Sequence, residues 1–328
     1  MENITQYKYL DRDAILKGVC EWIIKESPLI KKLPFKSIQG NAFKYNVELT
    51  LPGASWMDFD QQVVTTSGSV AQRTTDIFML LQDSNTPKAN IDLNSTQDPE
   101  KSDIALAAKA MAHEFENAFV RGQTSTLSTT KQFKGIMRML AELETAATTD
   151  WDGLNNEQVV LNSATSAVLT LAAIDTLIDQ IKPGKPDMLL MGRRTNRKIS
   201  ALQRASGSGL QFTDPKEFGL RLPMYDSIPM LKSDFMPENL PDAGTSVTTI
   251  STWNPNTAWA DGVNNGAIFA IQLGEDKVCG LQAGEMTHER ETFVEDYHAI
   301  KNRFVWLCGA AAFRKYSLAA LVNIDTSA

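Results

Sequence analysis

The sequence predicts an α+β fold, and three stretches carry the prediction. Phe43, Tyr45, Val47 and Leu49 alternate with Lys44, Asn46, Glu48 and Thr50, the period-two pattern of a strand covered on one face. Over residues 98–121, Ile104, Ala105, Ala107, Ala108, Met111, Ala112, Phe115, Ala118 and Phe119 make one apolar stripe at helical spacing. From residue 162 onward, helical patterns alternate with short apolar runs, which marks a mixed region of strands and helices. The 328 residues are 43% hydrophobic and 22% charged, enough to bury a core and to build about two domains. Those proportions exclude wholesale disorder. With Gly 19 and Pro 13, collagen-like and low-complexity readings also fail.

Residues 1–36 read as an arm. Seven basic and five acidic residues mix there, and Leu16, Val19, Trp22, Ile23 and Ile24 fall at roughly helical spacing before Pro28 and Pro34. The strand at 43–50 is broken by Leu51-Pro52-Gly53, and Arg73 to Leu81 reads as its return. About twenty residues lie between, too many for a tight turn. That stretch carries Trp56, Met57, Phe59, Val63 and Val64 among small polar residues, so a partner surface is expected to cover them.

For the long helix, Asp98 is the expected N-cap, Pro99 the first helical position and Gly122 the stop. A second helix fits Asn162 to Ile181, ended by Pro183-Gly184. Asp187 to Gly192 reads as a buried strand, and Arg193 to Arg204 as a basic helix capped near Thr195. Residues 205–265 are rich in Gly, Pro, Ser, Thr and Asn. Gly266 to Ala270, Lys277 to Gln282, Thr292 to Val294, Arg303 to Leu307 and Leu318 to Val322 then read as strands.

The chemistry-bearing motifs are missing. A net charge of −7 argues against a dedicated nucleic-acid-binding module and against tight capture of DNA or RNA. Cys20, Cys279 and Cys308 are odd in number and far apart, unlike a disulfide framework and suited to a reducing cytoplasm. Met1-Glu2-Asn3-Ile4 does not open a signal peptide. The uncharged run Val159–Ile174 is too short and too polar to span a membrane. His113-Glu114 begins a zincin-like motif, but Asn117 stands where its second His belongs. His288, His298 and Cys279 are not at metal-ligand spacing. Gly207-Ser208-Gly209 has no following helix signal, and neither a GxxxxGK[ST] loop nor a GxSxG elbow exists. The expectation is no enzyme, no cofactor and no metal; an arm, a projecting hairpin and a long helix suit assembly better than catalysis.

This order of elements resembles the major capsid proteins of tailed bacteriophages, which share the Hong Kong 97-type fold. The resemblance rests on an ordered set. The arm matches 1–36, the hairpin or E-loop about 40–81, and the spine helix 98–121. Phe133-Lys134-Gly135-Ile136 resembles the strand entry after the spine. Met188-Leu189-Leu190-Met191-Gly192-Arg193-Arg194-Thr195 resembles the axial-domain strand that runs into a helix. Pro223 to Met230, Arg303 to Gly309 and Leu318 to Val322 resemble later strands of the family. The implied division is an N-terminal arm (1–36), an E-loop hairpin (37–85), a peripheral or P domain with the spine helix (86–150), an axial or A domain (151–289) and closing P-domain strands (290–328).

The resemblance implies a structural subunit that self-assembles through homo-pentamers and homo-hexamers into an icosahedral shell around the phage genome. It would belong to the virion and assemble in the host cytoplasm. Trp56, Met57, Phe59 and Trp22 are the expected inter-subunit contacts. The implied partners are further copies of the chain, portal and decoration proteins, and packaged double-stranded DNA held non-specifically, with no membrane. Only about 36 residues precede the hairpin, where some members carry a fused scaffolding segment, so a separate scaffold protein or none is implied. Some members cross-link a Lys of the E-loop to an Asn of a neighbour. No Lys lies between Leu51 and Gln72, and Lys44 and Lys88 lie at the base or outside, so no such isopeptide bond is expected. An encapsulin-type compartment shell, which shares the fold, and a soluble α/β enzyme with a divergent site are the alternatives.

Overall fold

The computed structural model describes residues 27–40, 42–50, 52–62, 65–93, 98–122, 131–142, 156–206, 211–212, 222–238, 240, 264–292 and 297–327, with backbone alone at 28, 48–50 and 211–212. A one-turn helix α1 (Pro28–Lys32) and strand β1 (Phe35–Ser37) open it. Strands β2 (Ala42–Thr50) and β3 (Ser69–Asp76) form an antiparallel hairpin, and β4 (Phe78–Pro87) continues from β3 after one residue. Helix α2 (Lys88–Leu93) leads to the 23-residue helix α3 (Pro99–Arg121), about 34 Å long. Helix α4 (Ile136–Glu142) and strand β5 (Val159–Leu161) follow. Next come α5 (Leu171–Asp179), β6 (Met188–Met191), α6 (Arg193–Ala205), β7 (Gln211–Phe212), β8 (Pro223–Tyr225) and β9 (Ile228–Lys232). The chain closes with β10 (Asn265–Ile271), β11 (Val278–Gln282), β12 (Thr287–Glu291), β13 (Ala299–Ala312) and β14 (Leu318–Asp325).

One sheet is organised by the 14-residue β13. It pairs with β4 along one edge, while β11 and β12 share the other edge in tandem and β1 extends β11. Alternation along β13 explains its two faces. Asn302, Phe304, Trp306 and Cys308 are buried, whereas Lys301, Arg303, Val305 and Leu307 point outward and are at least partly exposed. Trp306 stacks on Phe115 of α3 at 4.9 Å between ring centroids, and Phe35 and Phe133 complete the aromatic cluster. The alanines of α3 let the helix lie close to its neighbours.

The second sheet runs β5-β14-β10-β6-β9-β8-β7. Its central strands are buried on both faces, so Met188-Leu189-Leu190-Met191 reads as a continuous apolar run. Leu189, Met191, Ile268 and Leu321 pack under α5 and α6. Met188, Leu190, Phe269 and Ala320 join the core built around α3.

The expected helix cap at Asp98 is present: its carboxylate accepts from the Glu100 amide at 3.1 Å, with Pro99 at the first helical position. Gly122 ends α3 for a different reason than a left-handed turn, since its φ is −53°. A Cβ there would lie 2.2 Å from the Phe133 carbonyl oxygen, and one on Gly135 would lie 2.6 Å from the Gly122 nitrogen. The two glycines let the backbones meet, and the Gly135 amide donates to the Gly122 carbonyl at 2.9 Å.

Several expectations need correction. Phe133 to Ile136 is no strand; it leads straight into α4. The helix expected from Asn162 begins only at Leu171, because the Asn162 amide donates to the carbonyls of Ala167 and Val168 and holds a loop, and Thr170 caps the helix. Helix α6 begins at Arg193 with Gly192 as N-cap. The Glu238 carboxylate, 44 residues on, accepts from the Arg194 amide at 2.7 Å, while Thr195 is buried. A strand not expected from the sequence spans Thr287–Glu291, with Thr292 beyond its end; Phe293 and Val294, like Cys20, lie outside the described residues. The sheets also cut across the linear order of segments. β4 joins the β13 sheet rather than only the hairpin, β11 joins it as well, and β14 completes the seven-stranded sheet.

Candidate functional site

The hairpin is the feature that projects. β2 and β3 pair from Ala42–Asp76 to Thr50–Ser69, with a register slip between Glu48 and Thr50. Its base is locked to the body by rings: Tyr45 meets Phe313 edge-on at 4.9 Å, Phe43 meets Phe313 at 6.0 Å, and the Lys36 ammonium lies 5.4 Å from the Phe313 ring. Burial pushes the Tyr45 phenol up to about 12, so it stays neutral. The Thr75 hydroxyl donates to the Ala310 carbonyl at 3.0 Å, and Ile77, between β3 and β4, is buried.

The tip has no such cover. Trp56 and Phe59 are fully exposed, at 103% and 109%, and Met57 is 38% exposed. Local polar bonds shape it: the Phe59 amide donates to Asp58 Oδ1 at 2.9 Å, and the Thr66 hydroxyl donates to the Gly53 carbonyl at 2.7 Å. Of the expected contact residues, Trp56 and Phe59 therefore do not fold back onto their own subunit, whereas Met57 beside them is partly covered by it. Trp22, the fourth, lies outside the described residues.

A second surface was not anticipated from the sequence. On the outward face of the β13 sheet, Leu307 pairs with Met79 and Val305 with Leu81; Met79 is 59% exposed, with Leu81 and Leu307 also exposed. Beside this apolar patch Arg303 forks onto Asp83 at 2.8 and 3.0 Å, with Lys301 at 3.0 Å from the same carboxylate. Those bonds hold the Asp83 carboxyl below its ordinary range. The alternation in 78–83 and 301–307 is the signal that marks it, legible once the two strands are known to be neighbours. On the inner side, Glu100 in the first turn of α3 takes both Arg290 nitrogens at 2.7 and 2.9 Å and the Asn302 amide at 3.0 Å. Asn302 also meets the buried His288, which stacks on Phe304. The Arg290 bonds lower the Glu100 carboxyl. This network fastens α3 to β12 and β13.

The remaining titratable groups are dispersed. Among the described residues no cluster of three His, Cys, Asp or Glu side chains is placed to hold a metal ion. His113, on α3, and His298, just before β13, are exposed, whereas His288 on β12 is buried. Burial pushes the Cys279 and Cys308 thiols up to about 11 and about 12. A cleft of about 740 Å³ lies between α3, α6 and the end of β9, lined by His113, Glu116, Arg193, Arg197, Lys232 and Asp234 among others. Among the described residues no helix is long and apolar enough to cross a membrane.

Comparison with known proteins places this architecture. A family model described as SU10 major capsid protein matches residues 66–248, more than half of the chain. Similar solved structures include the holo-SrpI encapsulin complex from Synechococcus elongatus PCC 7942, at 13% identity and a TM-score of 0.64, covering 92% of this chain and 88% of that one. The capsid of a native GTA particle matches at 13% identity and 0.59, covering 90% of each chain. A structure from Mycobacterium phage Bobi matches at 14% and 0.55, again covering 90% of each. At these identities the likeness is one of fold, the Hong Kong 97-type capsid fold. No curated protein matches the sequence.

Proposed function

Because the chain belongs to the SU10 major capsid protein family, we propose that its hairpin tip, with Trp56, Met57 and Phe59, is the contact through which neighbouring copies are joined in the shell. The protein is a major capsid protein of a phage, and copies of it associate to form that shell. The finer reading is that the copies form pentamers and hexamers and close an icosahedral container for double-stranded DNA.

The observation that carries this reading is the full exposure of Trp56 and Phe59 on a hairpin whose base is fixed. Large aromatic side chains left in water at the end of a braced projection are unfavourable in isolation and favourable once covered by a second copy. Each contact is modest, but a closed lattice repeats it in every subunit, so the whole is stable. The apolar patch of Met79, Leu81 and Leu307 is the surface of matching chemistry that a neighbour offers. The five-stranded sheet with α3 serves as the P domain, the seven-stranded sheet with α5 and α6 as the A domain, and the chain carries no catalytic role. Assembly takes place in the host cytoplasm, and portal and decoration proteins complete the virion. The fold likeness to an encapsulin is compatible with this, and the family match favours the phage shell.

Negative-stain electron microscopy of the purified full chain tests the reading. Closed shells or rings of five and six are expected. Small monodisperse particles at every concentration, with no such rings after chemical cross-linking, would overturn it. Shells filled with a protein cargo would turn it toward the encapsulin type. A denaturing gel of assembled shells is expected to show single subunits and no covalent ladder.

A further inference from the structure

The chain is acidic overall, yet one helix is not. Helix α6 carries Arg193, Arg194, Arg197, Lys198 and Arg204 with no acidic residue among its 13. Arg193, Arg194, Arg197 and Arg204 are exposed, as is Lys232 at the end of the neighbouring β9. Two clefts flank the helix. One, of about 740 Å³, is lined by Arg193, Arg197 and Lys232; the other, of about 480 Å³, by Arg194, Arg197 and Lys198. Four carboxylates blunt the charge in part: Asp234 pairs with Arg193, Glu238 with Arg194, Asp325 stands near Lys198, and Glu116, which accepts from the Ser27 hydroxyl, lines the larger cleft. The helix N-terminus is itself occupied, by Glu238. Arg197 and Lys232 form no ion pair among the described residues.

Resting on the reading of the chain as a phage capsid subunit, we propose that this basic face of α6, with Lys232 beside it, is where the subunit meets packaged double-stranded DNA, through its phosphates. The chemistry favours a duplex over an acidic protein. Four of the six cations are guanidinium groups, whose forks match phosphate oxygens. The pairs Arg193–Arg197 and Arg194–Lys198 are four residues apart, about 6 Å along the axis, close to two phosphate steps of about 3.4 Å each on one strand. Among the described residues Phe235 is the one Phe, Tyr or Trp lining either cleft, and it is partly covered and set against the His113 ring. The face therefore lacks the apolar anchors of a protein interface. A contact made through phosphates carries no sequence preference, although the arginines and the cleft-lining Asn196 and Asn264 have the chemistry to meet base edges. Partial neutralisation keeps the grip weak, as a genome that must slide during packaging requires.

The test is fluorescence anisotropy of a labelled 20-base-pair duplex with the full-chain protein across a salt series, run beside electron microscopy of the same samples. Weak binding at low salt is expected, with affinity falling as salt rises. Arg197→Ala/Lys198→Ala should flatten the log–log salt slope by about 2, at about 0.9 for each phosphate no longer neutralised, and leave shells intact. The charge-matched control Lys101→Ala/Lys131→Ala, at exposed lysines elsewhere, should leave the slope unchanged. No duplex binding by the parent protein at low salt, or an equal slope in parent and α6 variant, would overturn the proposal. So would loss of shells with duplex binding retained, which would make the face a protein interface. Absence of shells from the parent protein would count against the capsid reading instead, and is scored separately by microscopy.

Discussion

Removing the two exposed rings of the hairpin isolates what they contribute to assembly. Trp56→Ala/Phe59→Ala deletes side chains that touch nothing in their own subunit, so the isolated fold should be unchanged by circular dichroism. A buried aromatic removes about 150–250 Å² from water, worth about 4–6 kcal/mol each at about 25 cal/mol per Å². Ordering each side chain costs about 0.5–1.5 kcal/mol, and burial at an interface rim is incomplete. A net loss of about 3 kcal/mol per hairpin is a conservative figure, equal to a factor of about 150 in affinity. Every subunit in a lattice donates one hairpin, so the concentration at which shells appear should rise about 150-fold. Light scattering against protein concentration, checked by electron microscopy, reads this directly. Shells forming at the parent concentration would refute the assignment of the tip as an inter-subunit contact.

Other expectations follow from the interior. Gly135→Ala places a Cβ against three backbone atoms of the α3 terminus; it should cost about 3 kcal/mol and lower Tm by about 4 °C for a chain of 328 residues, seen by calorimetry. Because its folded carboxyl is lowered, Glu100 contributes stability that is complete above its ordinary value of 4.5 and lost as pH falls below it. Glu100→Gln should therefore cost about 1–2 kcal/mol at pH 7 and much less at pH 3, read from Tm against pH. Cys279 and Cys308, protonated and buried, should resist iodoacetamide at pH 8 and react fully in denaturant, as peptide mapping would show.

What the sequence made legible was periodicity and punctuation. The alternation at 43–50, the capped stripe of α3, the unbroken run Met188–Met191 and the isolation of Trp56 and Phe59 are all local signals, and the ordered set of them pointed to the capsid fold. What it concealed depends on pairing over distance. That β4 and β14 belong to different sheets from their expected segments follows from strand registers, and no window of a few residues carries a register. Glu238 caps α6 from 44 residues away, whereas local spacing offers only Thr195. The Asn162 amide holds a loop where composition suited a helix. The outward patch of Met79, Leu81 and Leu307 exists only once β4 and β13 lie side by side.

One joint has a mechanical meaning. The returning strand of the hairpin is joined to β4 by the single residue Ile77, and the ten residues of β4 are registered against β13. A pull on the hairpin along that strand is not delivered to one hydrogen bond after another, as in peeling. It strains the whole ladder at once, in shear, and passes through β13 and Trp306 into the spine. Any load that a neighbouring copy places on the hairpin is thus spread over ten paired residues before a single bond must bear it.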